Sequence, residues 1–342
     1  MRQKKLIYVI LWYFPSFPGG AEKSILEELK NYKNKNCSVF VLCFDENYRK
    51  GNFRIGGVRG INYGLKFSRL SSISSFYTLL LNRNYILEKL TLHINKKSIV
   101  VTQALITPIV AEFCIKNNIK YIYYLRDEIN LNEFHNYEKG IKRFLKFLKF
   151  ILEYPAIIFY ATKNLKALKN AYKIISNSKF IKTLLKRKYN LNSIVRYPRI
   201  CYTDLKKGRI NKNLQKYITF IRGKSYSKGY DIVLKIAKKL PEFEFMIVGP
   251  YKKKFKKKNI LFIPFKKDVM EIYKLSRLVI VPSRWNEAFG RVVLEANYLN
   301  IPVITSNKGG LPEANKNKNL IIENLEDIDI WVKKIRNIVD KK

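Results

Sequence analysis

Short apolar runs alternate with longer amphipathic stretches along this chain, and the pattern occurs twice in succession. In the first half, runs rich in β-branched and aromatic residues at Leu6–Leu11, Ser38–Phe44, Ile99–Thr102, Tyr121–Leu125 and Lys173–Ile175 predict strands. Between them, Ala21–Tyr32, Ile73–Leu92, Pro108–Asn117 and Ser178–Lys188 read as helices. The second half predicts strands at Tyr217–Ile221, Phe243–Val248, Ile260–Ile263, Leu278–Val281 and Val303–Thr305, with helices at Tyr230–Leu240, Asp268–Leu275 and Arg291–Leu299. Strand–helix alternation implies parallel sheets joined by crossover helices. The polar stretch Arg199–Gln215 has little to bury and reads as a linker. The expected division is therefore residues 1–200, residues 201–325, and a last helical segment at 326–342 free to pack back on the first domain. Two stretches break the pattern. Gly51 to Gly64 holds five glycines among basic residues and reads as a mobile loop, and Lys252–Lys258 reads as a solvated charge run on a short connection.

At 342 residues the chain has room for two domains with separate cores, and 47% hydrophobic content excludes wholesale disorder. Four scattered cysteines (Cys37, Cys43, Cys114 and Cys201) form no paired spacing, so reduced core thiols in a cytoplasmic protein are expected. The N-terminal apolar run Leu6–Trp12 is too short for a signal peptide and breaks at Phe14-Pro15, with no small-residue cleavage site. The chain has no run of about 20 uncharged apolar residues, so no segment is expected to span a bilayer. The charge is extreme, with 67 Lys and Arg against 26 Asp and Glu, a formal +41. Such a surface attracts polyanions, and composition leaves nucleic acid and anionic lipid both open.

The densest chemistry lies between Leu278 and Glu313. A strand ends at Pro282-Ser283, a glycine turn and a helix follow, and Glu287 and Glu295 bracket the helix start. In open α/β sheets ligands bind beyond the carboxyl ends of strands, where helix N-termini offer unbonded amides. A phosphate over Phe289, Gly290 and Arg291 gains those donors and the positive end of the helix dipole. The two carboxylates repel phosphate but accept hydrogen bonds from sugar hydroxyls. One phosphate seat between two hydroxyl acceptors describes a nucleotide sugar better than ATP or NAD.

These residues resemble the GT-B glycosyltransferases, in particular the large retaining family 4 that includes sucrose synthases and bacterial mannosyltransferases. The Glu287-x7-Glu295 pattern carries the likeness, with Val281-Pro-Ser283 before it and Ile301-Pro-Val303 and Gly309-Gly-Leu-Pro-Glu313 after it. Pro18-Gly19-Gly20-Ala21-Glu22 resembles the family's glycine-rich loop, and Ala171–Ser178 its strand-and-serine signature. The resemblance implies two Rossmann-like domains with parallel sheets facing a central cleft. It further implies that Glu295 binds the ribose and that Glu287 holds a donor-sugar hydroxyl and offsets charge at the anomeric carbon. Arg222 and Lys228 would clamp the diphosphate, Phe265 would meet the base, and the amides of Phe289, Gly290 and Arg291 would meet the phosphates. Arg126 and Asp127 stand where the family usually carries a histidine, and the chain's two histidines, His93 and His135, match no such position. Asn300 replaces a usual glycine, a change that a left-handed helix end tolerates.

The implied activity is transfer of a sugar from a nucleotide diphosphate donor to an acceptor hydroxyl, without metal or other cofactor. The implied acceptor is a lipid-linked or cell-surface glycan precursor at the inner face of the cytoplasmic membrane. No specific nucleic-acid partner is expected, and the oligomeric state stays open. The alternatives are a basic nucleic-acid-binding protein on the same scaffold, and an epimerase or phosphorylase of that fold. Between Lys139 and Lys149, basic residues at helical spacing oppose Phe144, Leu145, Phe147, Leu148, Phe150 and Ile151. That pattern suits either an anionic membrane interface or a helix packed into the first domain.

Overall fold

The computed structural model of the chain describes residues 5–11, 24–25, 27–29, 38–46, 49–55, 57–66, 72–128, 140–200, 211–266 and 269–340. The chain divides into two compact units, one of Met1–Phe134 with Phe147–Arg199, the other of His135–Lys146 with Ile200–Lys342.

The strands of the first unit are β1 (Lys5–Ile10), β2 (Ser38–Asp45), β3 (Gly51–Ile55), β4 (Val58–Leu65), β5 (Ser98–Gln103), β6 (Tyr121–Leu125), β7 (Lys173–Ser176) and β8 (Ile194–Val195). They form one sheet in the order β3-β4-β2-β1-β5-β6-β7-β8, parallel except for the β3–β4 pair. The central strand β1 is apolar on both faces and sits between β2 and β5, with Leu6 opposite Val39 and Ile99. Continuous apolar sequence of this kind is what a parallel strand covered on both faces requires. Residues 24–25 and 27–29 are helical. The helices that follow are α1 (Ser72–Leu81), α2 (Arg83–His93), α3 (Thr107–Lys116), α4 (Gly140–Lys169), whose residues 140–146 are grouped with the second unit, and α5 (Lys179–Tyr189).

The second unit repeats the plan: β9 (Tyr217–Ile221), α6 (Tyr230–Lys239), β10 (Phe245–Gly249), β11 (Phe255–Lys257), β12 (Ile260–Pro264), α7 (Met270–Tyr273), β13 (Ser276–Val281), α8 (Arg291–Tyr298), β14 (Val303–Ser306), α9 (Leu311–Ala314), β15 (Ile321–Ile322) and α10 (Ile328–Val339). Its strand order is β11-β12-β10-β9-β13-β14-β15. In both sheets the order runs outward in two directions from the first strand, which creates a switch point beside β1 and beside β9. The core of this unit joins Phe220, Ile247 and Ile280 of the sheet to Val233 and Ile236 of α6. Helix α10 adds Trp331, Ile335 and Val339 to the same core. Asp327 caps α10, and Trp331 donates Nε1–H to the Leu325 carbonyl at 3.1 Å. The apolar face of the last helix is thus packed into the core of the second unit.

Three sequence expectations change. The glycine-rich stretch from Gly51 is the β3–β4 hairpin, with Phe53 and Val58 buried against Leu6 and Val41. Its strand period is masked by glycines that serve packing: a Cβ on Gly60 would stand 2.3 Å from the Phe53 ring. The predicted helix over Ile73–Leu92 is two helices, because Asn82 leaves helical geometry and donates its side-chain amide to the Thr78 carbonyl. The lysine run contains β11, an edge strand antiparallel to β12, with Phe255 stacked on Phe262 at 4.6 Å. Asn300 adopts the left-handed conformation expected of it, at φ 57°. Cys43 and Cys114 are buried free thiols, and burial pushes Cys114 up to about 12. Cys37 and Cys201 fall outside the described residues.

Candidate functional site

The switch point of the second sheet is where β9 and β13 end side by side. Their following loops are laced together through backbone. Arg284 and Trp285 both donate their amides to the Ser227 carbonyl, at 2.9 and 3.0 Å. Gly229 has φ 81°, and a Cβ there would lie 2.0 Å from the Pro282 carbonyl oxygen, so no other residue permits this approach.

That lacing brings Lys228 to Glu287, with Nζ 2.6 Å from Oε1. The ammonium also lies 5.6 Å from the Trp285 ring centroid, and the Ser283 hydroxyl sits 3.4 Å from the same carboxylate oxygen. Glu287 is fixed from behind. Gly310 donates its amide to the Glu287 carbonyl at 2.6 Å, and Gly309 pairs with Glu287 as a parallel bridge. A Cβ at Gly309 would stand 2.3 Å from that carbonyl, which accounts for the Gly309-Gly310 pair.

Phe289 is buried among Val293, Leu311 and Ala314 and anchors the turn into α8. Gly290, at φ 98°, caps the helix, and a Cβ there would meet the Leu311 side chain at 2.6 Å. The first amides of α8 have no intrahelical acceptor. One turn further, Arg291 Nε donates to Glu295 Oε1 at 2.7 Å, and the Tyr273 hydroxyl donates to Oε2 at 2.9 Å. Glu295 and Tyr273 are both buried. Desolvation, and secondarily the Glu295 charge, hold the Tyr273 hydroxyl well above its ordinary value, so it stays a donor.

Arg222 and Phe265 lie at the end of β10, where Arg222 N–H donates to the Val248 carbonyl and Phe265 N–H to the Gly249 carbonyl. The Phe265 side chain is half exposed, and that of Arg222 is exposed. Arg222 has φ 141°, a region almost reserved for glycine. The second unit therefore brings Lys228, Glu287, Arg291 and Glu295 into two charge pairs, while Arg222 and Phe265 stand beside the neighbouring strand end.

Sequence reasoning missed Arg284. Its guanidinium is buried and doubly bidentate, to Asp231 at 2.7 and 2.9 Å and to Glu326 at 2.6 and 3.0 Å. It also stacks 4.0 Å from the Tyr226 ring centroid and donates to the Tyr226 carbonyl. Its Asp231 and Glu326 bonds hold its pKa above the ordinary arginine value against the cost of burial. Partners 53 and 42 residues away leave no local signal for this role. Tyr273 was missed for the same reason.

In the first unit, Arg126 follows β6 and is not free. Its Nε donates to Gln103 Oε1 at 2.5 Å, its Nη2 to Glu28 Oε2 at 2.8 Å, and the guanidinium stacks 4.0 Å from the Tyr124 ring centroid. Arg196 grips the other Glu28 oxygen at 3.2 Å. Asp127 is half-buried, and its charge, after burial itself, pushes the Tyr160 hydroxyl upward. Gly19 and Gly20 lie outside the described residues. Among the described residues, no group of three or more His, Cys, Asp or Glu side chains is placed to hold a metal ion.

Residues 203–342 match the family described as glycosyl transferases group 1. Spore coat protein SA of Bacillus subtilis (strain 168) is 34% identical over 87 residues, covering 24% of this chain and 23% of that protein. An uncharacterized 41.2 kDa protein in the cps region of Klebsiella pneumoniae is 30% identical over 118 residues, covering 32% of this chain and 31% of its own. The matches thus span about a quarter to a third of the length of these curated relatives. Among solved structures, sucrose-phosphate synthase from Thermosynechococcus elongatus aligns at TM-score 0.68 and 15% identity, over 99% of this chain and 90% of that one. Anabaena HepE in complex with UDP and glucose aligns at TM-score 0.65 and 15% identity, over 98% and 90%. At such identities what is shared is the fold, and that fold is GT-B.

Proposed function

We propose, from the match of residues 203–342 to the glycosyl transferases group 1 family and from the GT-B fold, that the protein is a retaining glycosyltransferase of the family 4 type. It moves a sugar from a nucleotide diphosphate donor to an acceptor hydroxyl. The acceptor in this reading is a lipid-linked or cell-surface glycan precursor, met at the inner face of the cytoplasmic membrane.

The observation that carries the reading is the pair of carboxylates around the start of α8, each held by one cation, with Glu287 in the turn before the helix and Glu295 in its second turn. Glu295, braced by Tyr273 and Arg291, keeps further lone pairs for ribose hydroxyls. Glu287 offers a carboxylate to a donor-sugar hydroxyl and to positive charge at the anomeric carbon. Lys228, Arg222 and the first amides of α8 supply positive potential for the departing diphosphate. Preorganised donors of this kind stabilise leaving-group charge without reorganisation. Phe265, half exposed, offers a face to the base. The charge is balanced by protein groups, so no cofactor is invoked. Arg126 and Asp127 serve the acceptor side, with Arg126 aimed by Glu28 and Gln103.

HepE was solved with UDP and glucose, which makes a UDP-sugar the first donor to try. Purified protein incubated with UDP-, GDP- and ADP-sugars should release one nucleoside diphosphate faster than the others, and Glu295→Ala should abolish release while remaining folded. NMR of the product should show the donor's anomeric configuration kept. Full activity of Glu295→Ala would overturn the site, and an inverted product would overturn the retaining mechanism.

A further inference from the structure

Helix α4 changes character along its length. In its C-terminal half, Ala156, Tyr160, Asn164, Ala167 and Leu168 are buried at one-turn spacing, as a packed helix requires. Over residues 140–155 no described side chain is buried. Yet this stretch carries Phe144, Leu145, Phe147, Leu148, Ile151 and Leu152, exposed by between 42% and 82%. Pro155 stands at the junction and cannot donate to the Ile151 carbonyl, which loosens the helix there.

At 3.6 residues per turn the six apolar positions fall on an arc of about 160°. Sequence positions Lys142, Arg143, Lys146 and Lys149 take the complementary arc, where Glu153 is the single acid, 3.9 Å from Lys149. An apolar row of this size left in water marks an interaction surface. The flanking charge selects the occupant. A second copy of a chain with formal charge +41 would set like charges together. A nucleic acid would satisfy the lysines but leave the phenylalanines and leucines wet. An anionic bilayer satisfies both arcs at once.

We propose that residues 140–155 of α4 dock the chain on an anionic lipid bilayer. The apolar arc enters the boundary between headgroups and acyl chains, and the basic arc lies along the headgroups. The segment is about 24 Å long at 1.5 Å per residue, the length of an interfacial helix lying in the plane. This deepens the membrane part of the proposed function but does not rest on the donor site.

The test is flotation of the full chain with phosphatidylcholine vesicles, with and without phosphatidylglycerol. The chain should float with the anionic vesicles alone, less so at high salt. A Leu148→Trp reporter should shift its emission to the blue when those vesicles are added. Combined Phe144→Gln, Leu148→Gln and Leu152→Gln should weaken flotation by more than tenfold with an unchanged melting temperature. Arg143→Glu with Lys149→Glu, which removes no apolar contact, should do the same if the triple variant folds poorly. Undiminished flotation of both variants, or a reporter blind to vesicles, would overturn the proposal. So would a reporter already shielded in a lipid-free dimer, or one shielded by RNA instead of lipid. Donor hydrolysis without lipid should stay at the wild-type rate in these variants, so that failure of docking is distinct from failure of the site.

Discussion

Lys228 and Glu287, from the segments that follow β9 and β13, are each other's partners, with Nζ 2.6 Å from Oε1. Both groups are partly exposed, at 17% and 25% of the side chain, so an arriving ligand can reach them. In the proposed reaction the diphosphate draws the ammonium and a sugar hydroxyl takes the carboxylate, and the ion pair is exchanged for two new contacts. Lys228→Met and Glu287→Gln should each lower kcat/KM for the donor by about 100-fold, in the range of removing one electrostatic stabiliser. The double variant should lose less than the product of the two, because one partner's loss already spoils the other. Steady-state kinetics on the four proteins checks this, and strict additivity would contradict it.

Glu295 depends on Tyr273, whose hydroxyl burial keeps protonated. Tyr273→Phe removes a hydrogen bond to a charged group, worth roughly 1.5–3 kcal/mol. A rise of about tenfold in donor KM, with kcat nearly unchanged, is the expected outcome, since the carboxylate is loosened but present.

Arg222 carries backbone strain at φ 141°, and such conformations cost about 1–3 kcal/mol in non-glycine residues. Arg222→Gly should therefore raise stability by about 1 kcal/mol while weakening donor binding. Urea denaturation and donor titration give the two numbers. A stabilised variant with unchanged donor affinity would leave Arg222 no part in the site.

Arg284 joins Asp231 and Glu326 across a buried guanidinium. Arg284→Met leaves two carboxylates facing each other without their cation. Breaking such a cluster costs about 3 kcal/mol, at the lower end because Glu326 is half exposed. The measurement is the urea midpoint of the variant against wild type.

His93 stacks on Phe40 and lies 2.5 Å from the Tyr63 hydroxyl through Nε2. Burial, and then the nearby Lys5 ammonium, lower its pKa from the ordinary 6.5. The unfolded chain takes up a proton there before the folded one does. The stability this residue contributes is present above about pH 6.5 and is lost as pH falls through the lower folded value. NMR titration of the chain's two histidines should show the His93 ring titrating below 6.5, and the melting temperature should fall between pH 7 and 5 by less in His93→Gln.

Several elements were legible because their information is local. The strands β1, β9, β10 and β13 are apolar runs bounded by turn residues, and a parallel sheet buried on both faces demands such runs. The Glu287-x7-Glu295 spacing was legible because seven intervening residues on a turn and a helix keep the two carboxylates in one neighbourhood. The β3–β4 hairpin was not legible, because Gly60 makes room for Phe53, and a glycine demanded by packing reads the same as one demanded by a turn.

By itself the sequence determined the two α/β repeats, the basic character of the chain and which glycines and carboxylates flank the start of α8. Only the tertiary structure decided what those groups touch: Lys228 on Glu287, Tyr273 and Arg291 on Glu295, Arg126 on Glu28, and Arg284 between Asp231 and Glu326. Periodicity records which face of an element avoids water. A hydrogen bond between residues such as Arg126 and Glu28, 98 positions apart, depends on how sheets order their strands, and no local pattern encodes that.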